Sequence, residues 1–105
     1  MEQGLKYDLG KPDYSLLPPL ALEGLVKIYD YGVAKYERDN WRKGLKYSRL
    51  FAAIMRHLWA WWRGEECDKE SGLPHLSHAA WGCFTLFEFT QNKNMYNGYD
   101  DRRLE

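Results

Sequence analysis

His75 and His78 stand three residues apart in the stretch SGLPHLSHAAW, just behind Glu65, Glu66, Asp68 and Glu70. On a helix that spacing puts both imidazoles on one face, within reach of a single metal ion. The carboxylates upstream offer hard oxygen donors on a connector able to fold back over that face. His57, one turn before Trp61 on an apolar stripe, joins the same region if its helix runs antiparallel to the next. A metal set of His57, Glu65, Asp68, His75 and His78 suits a divalent ion, Mg or Mn first and Zn, Co or Ni as alternatives, rather than Ca. The plainer reading is a core histidine, a short HxxH met by chance and a solvated acidic connector.

A second group of residues points to phosphate. Lys35, Arg38, Arg42, Lys43, Lys46 and Arg49 interleave with Tyr36, Asn40, Trp41 and Tyr47, and only Glu37 and Asp39 offset the charge locally. Cations bind phosphates, rings stack on bases, and an Asn amide reads a base edge. Alone, this segment also fits a solvated loop whose Trp plugs the core. Beside the acidic, histidine-bearing stretch it becomes half of a metal-dependent nucleotide site, one half holding phosphates and the other the ion that bridges them. Lys6, Lys11 and the stretch Tyr7–Tyr14 either add a phosphate contact or form a packing arm. Ser15, Ser48, Cys67 and Cys83 carry no nucleophile motif, and no glycine-rich phosphate loop is present.

The elements that must position these residues are helices. Residues 1–18 hold two Gly and two Pro and read as an arm without regular structure. Pro18 and Pro19 suit a first helical turn, and Leu22, Leu25, Val26, Tyr29 and Val33 extend a helix over 19–38. Ser48 suits the N-cap of a second helix over 49–63, with Leu50, Ile54, His57, Leu58, Trp61 and Trp62 inward and Gly64 as its stop. Pro74 opens a third helix to Gln91 whose apolar face is Leu76, Ala79, Ala80, Cys83, Leu86 and Phe87. Residues 92–105 are polar, with Asn-Gly and paired charges, and read as a fraying tail. The expectation is a single all-α domain over 1–105, a bundle of three main helices completed by association into a homodimer or tetramer.

Composition bounds the partners. The 105 residues carry equal numbers of acidic and basic side chains, which excludes an overall basic coat for long nucleic acid. Aromatics reach 16%, including five Trp and eight Tyr, rings that fill a core or line a site for flat ligands. Two cysteines without a CxxC pattern fit reduced thiols. No basic segment leads into an apolar run and no apolar stretch nears about 18 residues, so a cytoplasmic protein off the membrane is expected.

Three ordered blocks, KYDLGKPDYSLLPP, GVAKYERDNWRKGLKYSRL and RHLWAWWRGEECDKESGLPHLSHAAW, resemble the phage and bacterial family named for dATP/dGTP diphosphohydrolase N-terminal domains. The likeness covers residues 5–90 and falls on Lys35, Tyr36, Asn40, Trp41, Lys43 and Gly44, then on Arg56, His57, Trp61, Gly64, Glu65, Asp68, Glu70, Ser71, Gly72, His75 and His78. It implies an all-α oligomer, near the MazG-like pyrophosphohydrolases, that cleaves a purine nucleoside triphosphate to monophosphate and pyrophosphate with a divalent metal. In a phage that activity would act in the host cytoplasm. In this scheme Glu65 and Glu70 are the catalytic carboxylates, with Glu66 an alternative base. Lys11, Lys35, Tyr36, Asn40, Trp41, Arg42, Lys43 and Arg56 bind the nucleotide. MazG-like enzymes hold metal on ExxE and ExxD pairs. Here the second helix has no internal Glu, and the third opens on histidines. The rival expectation is a phage protein that sequesters a nucleotide without turnover, and a third is an adaptor with no small ligand.

Overall fold

The computed structural model describes residues 1–103. Three main helices carry the fold: α1 (Pro19–Lys35), α2 (Tyr47–Trp62) and α3 (His75–Gln91), followed by the single turn α4 (Lys93–Tyr96). Short 3-10 turns lie at Tyr14–Leu16, Asn40–Lys43 and Asn97–Tyr99. Among the described residues there is no strand, only an isolated bridge between Cys67 and Pro74.

Local chemistry explains the boundaries. Pro18 precedes α1 and Pro19 occupies its first position, where a missing N–H costs no helical hydrogen bond. Gly64, at φ 98°, ends α2 by turning the chain left-handed, while the Gly64 N–H donates to the Trp61 carbonyl and the Glu65 N–H to that of Ala60. Ser48 is not the cap of α2. The helix begins at Tyr47, and the Ser48 N–H and hydroxyl donate to the Asp101 carboxylate at 2.9 and 2.5 Å, so the cap comes from the far end of the chain.

The tail does not fray. Tyr96 is 4% exposed and joins Tyr47, Leu50 and Phe89 in the main core cluster, with Trp41, Leu45, Trp81, Leu86 and Tyr99 packed around it. The Tyr96 hydroxyl donates to the Arg42 carbonyl and the Tyr99 hydroxyl to that of Lys43, both at 2.8 Å. One buried ring outweighs a polar composition. The tail therefore clamps the loop between α1 and α2.

Helices α2 and α3 form an antiparallel hairpin. Tyr47 at the start of α2 stacks on Phe89 near the end of α3, and His57 near the end of α2 stacks on His78 at the start of α3. Gly82 permits the close approach, since a methyl there would fall inside the Ile54 side chain. Helix α1 crosses α3 through a Tyr29 to Thr85 hydrogen bond at 3.2 Å and through Gly24 against Ser77. Several residues expected inward face out instead: Leu22, Val26 and Val33 on α1, Leu58 and Trp62 on α2, and Leu76, Ala80, Cys83 and Phe87 on α3. Their places are taken by Ile28 on α1, and by Gly82, Thr85 and Phe89 on α3. The radius of gyration, 17.1 Å, exceeds the roughly 13 Å of a compact chain this long, because the arm stands away from the helices with every residue from 1 to 18 exposed.

Candidate metal and nucleotide site

The antiparallel hairpin sets three histidines together at its closed end. His57 Nδ1 lies 2.8 Å from His75 Nδ1, and the His57 ring stacks on His78 with centroids 4.4 Å apart and planes 5° from parallel. One suitable donor atom from each of His57, Asp68 and His75 falls within 4.8 Å of the others. Two imidazole nitrogens on one tetrahedral ion, at about 2.1 Å each, stand roughly 3.4 Å apart. The observed pair is at hydrogen-bond distance, and a parting of the rings by about half an ångström would admit a shared cation.

The connector holds this cluster in place. Asp68 closes the turn by accepting the Ser71 N–H at 2.9 Å, and the Asp68 and His75 N–H groups donate to the Leu73 and Glu66 carbonyls. Glu65 accepts from His75 Nε2 at 3.1 Å. A carboxylate oxygen accepts from an N–H, so the contact places a proton on Nε2 and turns Nδ1 toward His57. His78 Nε2 meets the Ser71 hydroxyl at 2.7 Å, and its ring is met edge-on by Tyr31.

Burial, then neighbouring imidazoles, lowers the His57 pKa; burial lowers that of His78 too, against an opposing pull from Asp68. Burial alone would raise the Asp68 carboxyl. The hydrogen bonds from Ser71 and the charges of His78 and His57 bring it below the ordinary carboxylate range. These directions favour neutral His57 and His78 imidazoles beside an ionised Asp68, the protonation states a metal needs of its ligands.

One helical turn away lies a groove of about 580 Å³ between the second half of α1, the following loop and α2. Trp41, Trp81, Tyr29 and Tyr36 give it aromatic walls, and Arg38, Arg49 and Arg56 its cations. Ala53 and Arg56 sit one turn and one residue before His57, and Trp81 one turn after His78, so groove and cluster share a border. Arg38 leans on Asp39 at 3.6 Å, whereas Arg49 and Arg56 have no carboxylate partner among the described residues.

The expected site residues divide. His57, Asp68 and His75 converge; Glu65 touches the cluster through His75, and His78 stacks on it while bonding Ser71. Tyr36, Asn40, Trp41 and Arg56 line the groove. Lys11 lies in the exposed arm, away from both. Lys35 is bound to Glu70 at 2.5 Å, a pairing that raises the lysine pKa and lowers that of the carboxyl. Lys43 is bound to Glu37, and Arg42 pairs with Asp39 while lying over the Trp41 ring at 4.5 Å. These four cations do not line the groove. Tyr29, which does, reads in the sequence only as a helix-face aromatic, Trp81, which also does, falls on no face assigned from the sequence, and Arg49 reads only as one member of a basic run.

The family model described as "dATP/dGTP diphosphohydrolase, N-terminal" matches residues 1–102. The chain belongs to this family. A protein named "dATP/dGTP diphosphohydrolase" from Salmonella phage PMBT28 is 38% identical over 100 residues, which is 95% of this chain and 33% of that relative. The chain therefore spans about a third of the relative's length. No solved structure matches. No helix among the described residues is long and apolar enough to cross a membrane.

Proposed function

We propose that the chain binds a purine nucleoside triphosphate in the groove and cleaves it to monophosphate and pyrophosphate, using a divalent ion held by His57, Asp68 and His75. The observation that carries this reading is the shared border between an aromatic groove, with two guanidinium groups that have no carboxylate partner among the described residues, and a cluster of two imidazoles and one carboxylate. Trp41, Trp81 and Tyr36 offer faces to a purine, and Asn40 an amide to its edge. Arg49 and Arg56 answer the phosphate charge. Two imidazoles favour Mn, Co, Ni or Zn over Mg. When bound, such an ion polarises a phosphoryl oxygen and lowers the pKa of a bound water.

The chain's own residues supply the rest. Glu65 holds His75 in the tautomer that faces the ion. Glu70 is a weak base because Lys35 keeps its pKa low. His78, kept neutral by burial, has a ring nitrogen able to accept a proton, with an affinity below that of a free imidazole. The name of the phage relative, a dATP/dGTP diphosphohydrolase, supports nucleotide chemistry of this kind.

One observation favours a second reading, a nucleotide-binding module without turnover. The ligand set contains a single carboxylate, and α2 contains none. The deciding experiment incubates the protein with dATP, dGTP and their ribo forms, with and without Mn, and separates the products. Co(II) absorption, followed in wild type and His57→Ala, reports the ion site independently. Monophosphate and pyrophosphate, lost in His57→Ala together with the Co(II) spectrum, support hydrolysis. Intact nucleotide recovered from a tight complex supports the second reading.

A further inference from the structure

Three carboxylates line the groove, and two of them are already engaged. Glu37 is bound to Lys43, while Asp39 pairs with Arg42 at 3.1 Å and Arg38 at 3.6 Å. The third, Asp30, has neither an ion-pair nor a hydrogen-bond partner for its side chain among the described residues. A free carboxylate beside a phosphate site opposes the charge of the ligand, unless it meets a part of that ligand that donates hydrogen bonds.

The charges are sorted by wall. Asp30 stands on α1, next to Tyr29 and one turn before Val33, whereas Arg49, Ala53 and Arg56 recur at intervals of four and three on α2. The two guanidinium groups make the α2 wall the one that suits phosphates. Rings gather on the other side, where Tyr29 meets Trp41 and Trp81 edge to face with centroids 6.1 and 6.0 Å apart. The polar groups beside these rings are the Asp30 carboxylate and the Asn40 amide, which is also without a side-chain partner among the described residues.

We propose that Asp30 makes the groove selective for guanine, an inference that rests on the nucleotide reading of the groove. The Watson–Crick edge of guanine offers two neighbouring donors, N1–H and the N2 amine, and one acceptor, O6. An ionised carboxylate only accepts, through two oxygens that match the pair of donors, and the Asn40 amide is able to donate to O6. Adenine shows a single donor, its N6 amine, beside the bare lone pair of N1. Against Asp30 that lone pair faces a second acceptor, and two acceptors left face to face cost more than a missing bond. Asp30 thus reads the base, while Arg49 and Arg56 hold any triphosphate alike.

The test titrates the full chain with unhydrolysed deoxynucleoside triphosphate analogues carrying guanine, hypoxanthine or adenine, in wild type, Asp30→Asn and Arg56→Ala. Asp30 lies exposed on a helix, so the isosteric change spares the fold. Wild type should bind guanine about tenfold or more tighter than adenine. Hypoxanthine, which keeps N1–H but lacks the N2 amine, should fall between them. Asp30→Asn should erase or reverse that order, because an amide accepts from the N6 amine and donates to N1 of adenine. Arg56→Ala should weaken all three alike. Equal wild-type affinities for guanine and adenine overturn the proposal, and the groove reading stands if Arg56→Ala still weakens both. An unchanged preference in Asp30→Asn overturns it as well. So does an equal loss for every base, which assigns Asp30 to the sugar hydroxyls. If no analogue binds, the groove reading falls and the proposal with it.

Discussion

Removing the hydroxyl or the ring of Tyr96 tests whether the polar end of the chain is part of the fold. The ring is 4% exposed, lies 4.3 Å from Phe89 between centroids, and its hydroxyl holds the Arg42 carbonyl at 2.8 Å. Tyr96→Ala deletes a buried ring and leaves a cavity, at a cost of about 3–5 kcal/mol. Tyr96→Phe keeps the ring and strands a partly buried carbonyl, at about 1–3 kcal/mol. Tyr99→Phe loses a more exposed bond to the Lys43 carbonyl, at about 0.5–1 kcal/mol. A domain of this size is stable by about 5–15 kcal/mol, so the alanine variant stands near the edge of folding. Calorimetric melting should fall by about 4–8 °C for each kcal/mol lost. The phenylalanine variants should also weaken nucleotide binding, because the loop they release carries Asn40 and Trp41. If Tyr96→Ala melts with the wild type, the tail is not part of the core and the clamp on that loop is wrong.

Three further outcomes follow from the site and the hairpin. Glu65→Gln, which weakens the hold on His75 Nε2 without emptying the cluster, should reduce Mn or Co(II) affinity by about 10–100-fold in calorimetric titration; an unchanged affinity removes Glu65 from the site. Gly82→Ala forces a methyl against Ile54 and should cost about 1–3 kcal/mol in urea unfolding, and a neutral result would mean that the helices have room to part. In chelator-treated protein, His57 and His78 have folded pKa values below the unfolded 6.5, so the unfolded chain binds more protons. Their contribution is complete above that value and is lost as pH falls through the folded pKa values, so melting should drop between pH 7 and 5, and less so in a His57→Gln, His78→Gln double variant; a flat profile over that range refutes it.

Much of the hairpin and its histidines was legible in the residues, because punctuation and spacing are local properties. Pro18, Pro19 and Gly64 marked helix ends by steric rules that need no tertiary context. The HxxH interval and the acidic connector pointed to the cluster for the same reason, although of the two histidines only His75 joins His57 and Asp68, while His78 bonds Ser71. What failed depended on contacts across the chain. A period-3.6 pattern shows that an apolar face exists but not which of two it is, and α2 carries both Leu50 with Ile54 and Phe51 with Met55. Glu65 as the orienting partner of His75, and Ser71 as that of His78, depend on the turn closed by Asp68, which composition does not reveal. The basic run looked larger than it is as a ligand surface, since Glu37, Asp39 and Glu70 occupy Lys43, Arg42 and Lys35.

The neighbours Met55 and Arg56 show how one helix presents two surfaces. Adjacent residues differ by roughly 100° around the axis, which leaves Met55 outside the groove and Arg56 on its wall. Arg56→Ala should weaken equilibrium binding of an unhydrolysed nucleotide analogue by about tenfold or more, the worth of a charge-assisted phosphate contact. Met55→Ala should leave that affinity within about twofold, since its side chain stands outside the groove lining. If the two variants lose affinity alike, the wall that Arg56 forms is not where the phosphates bind.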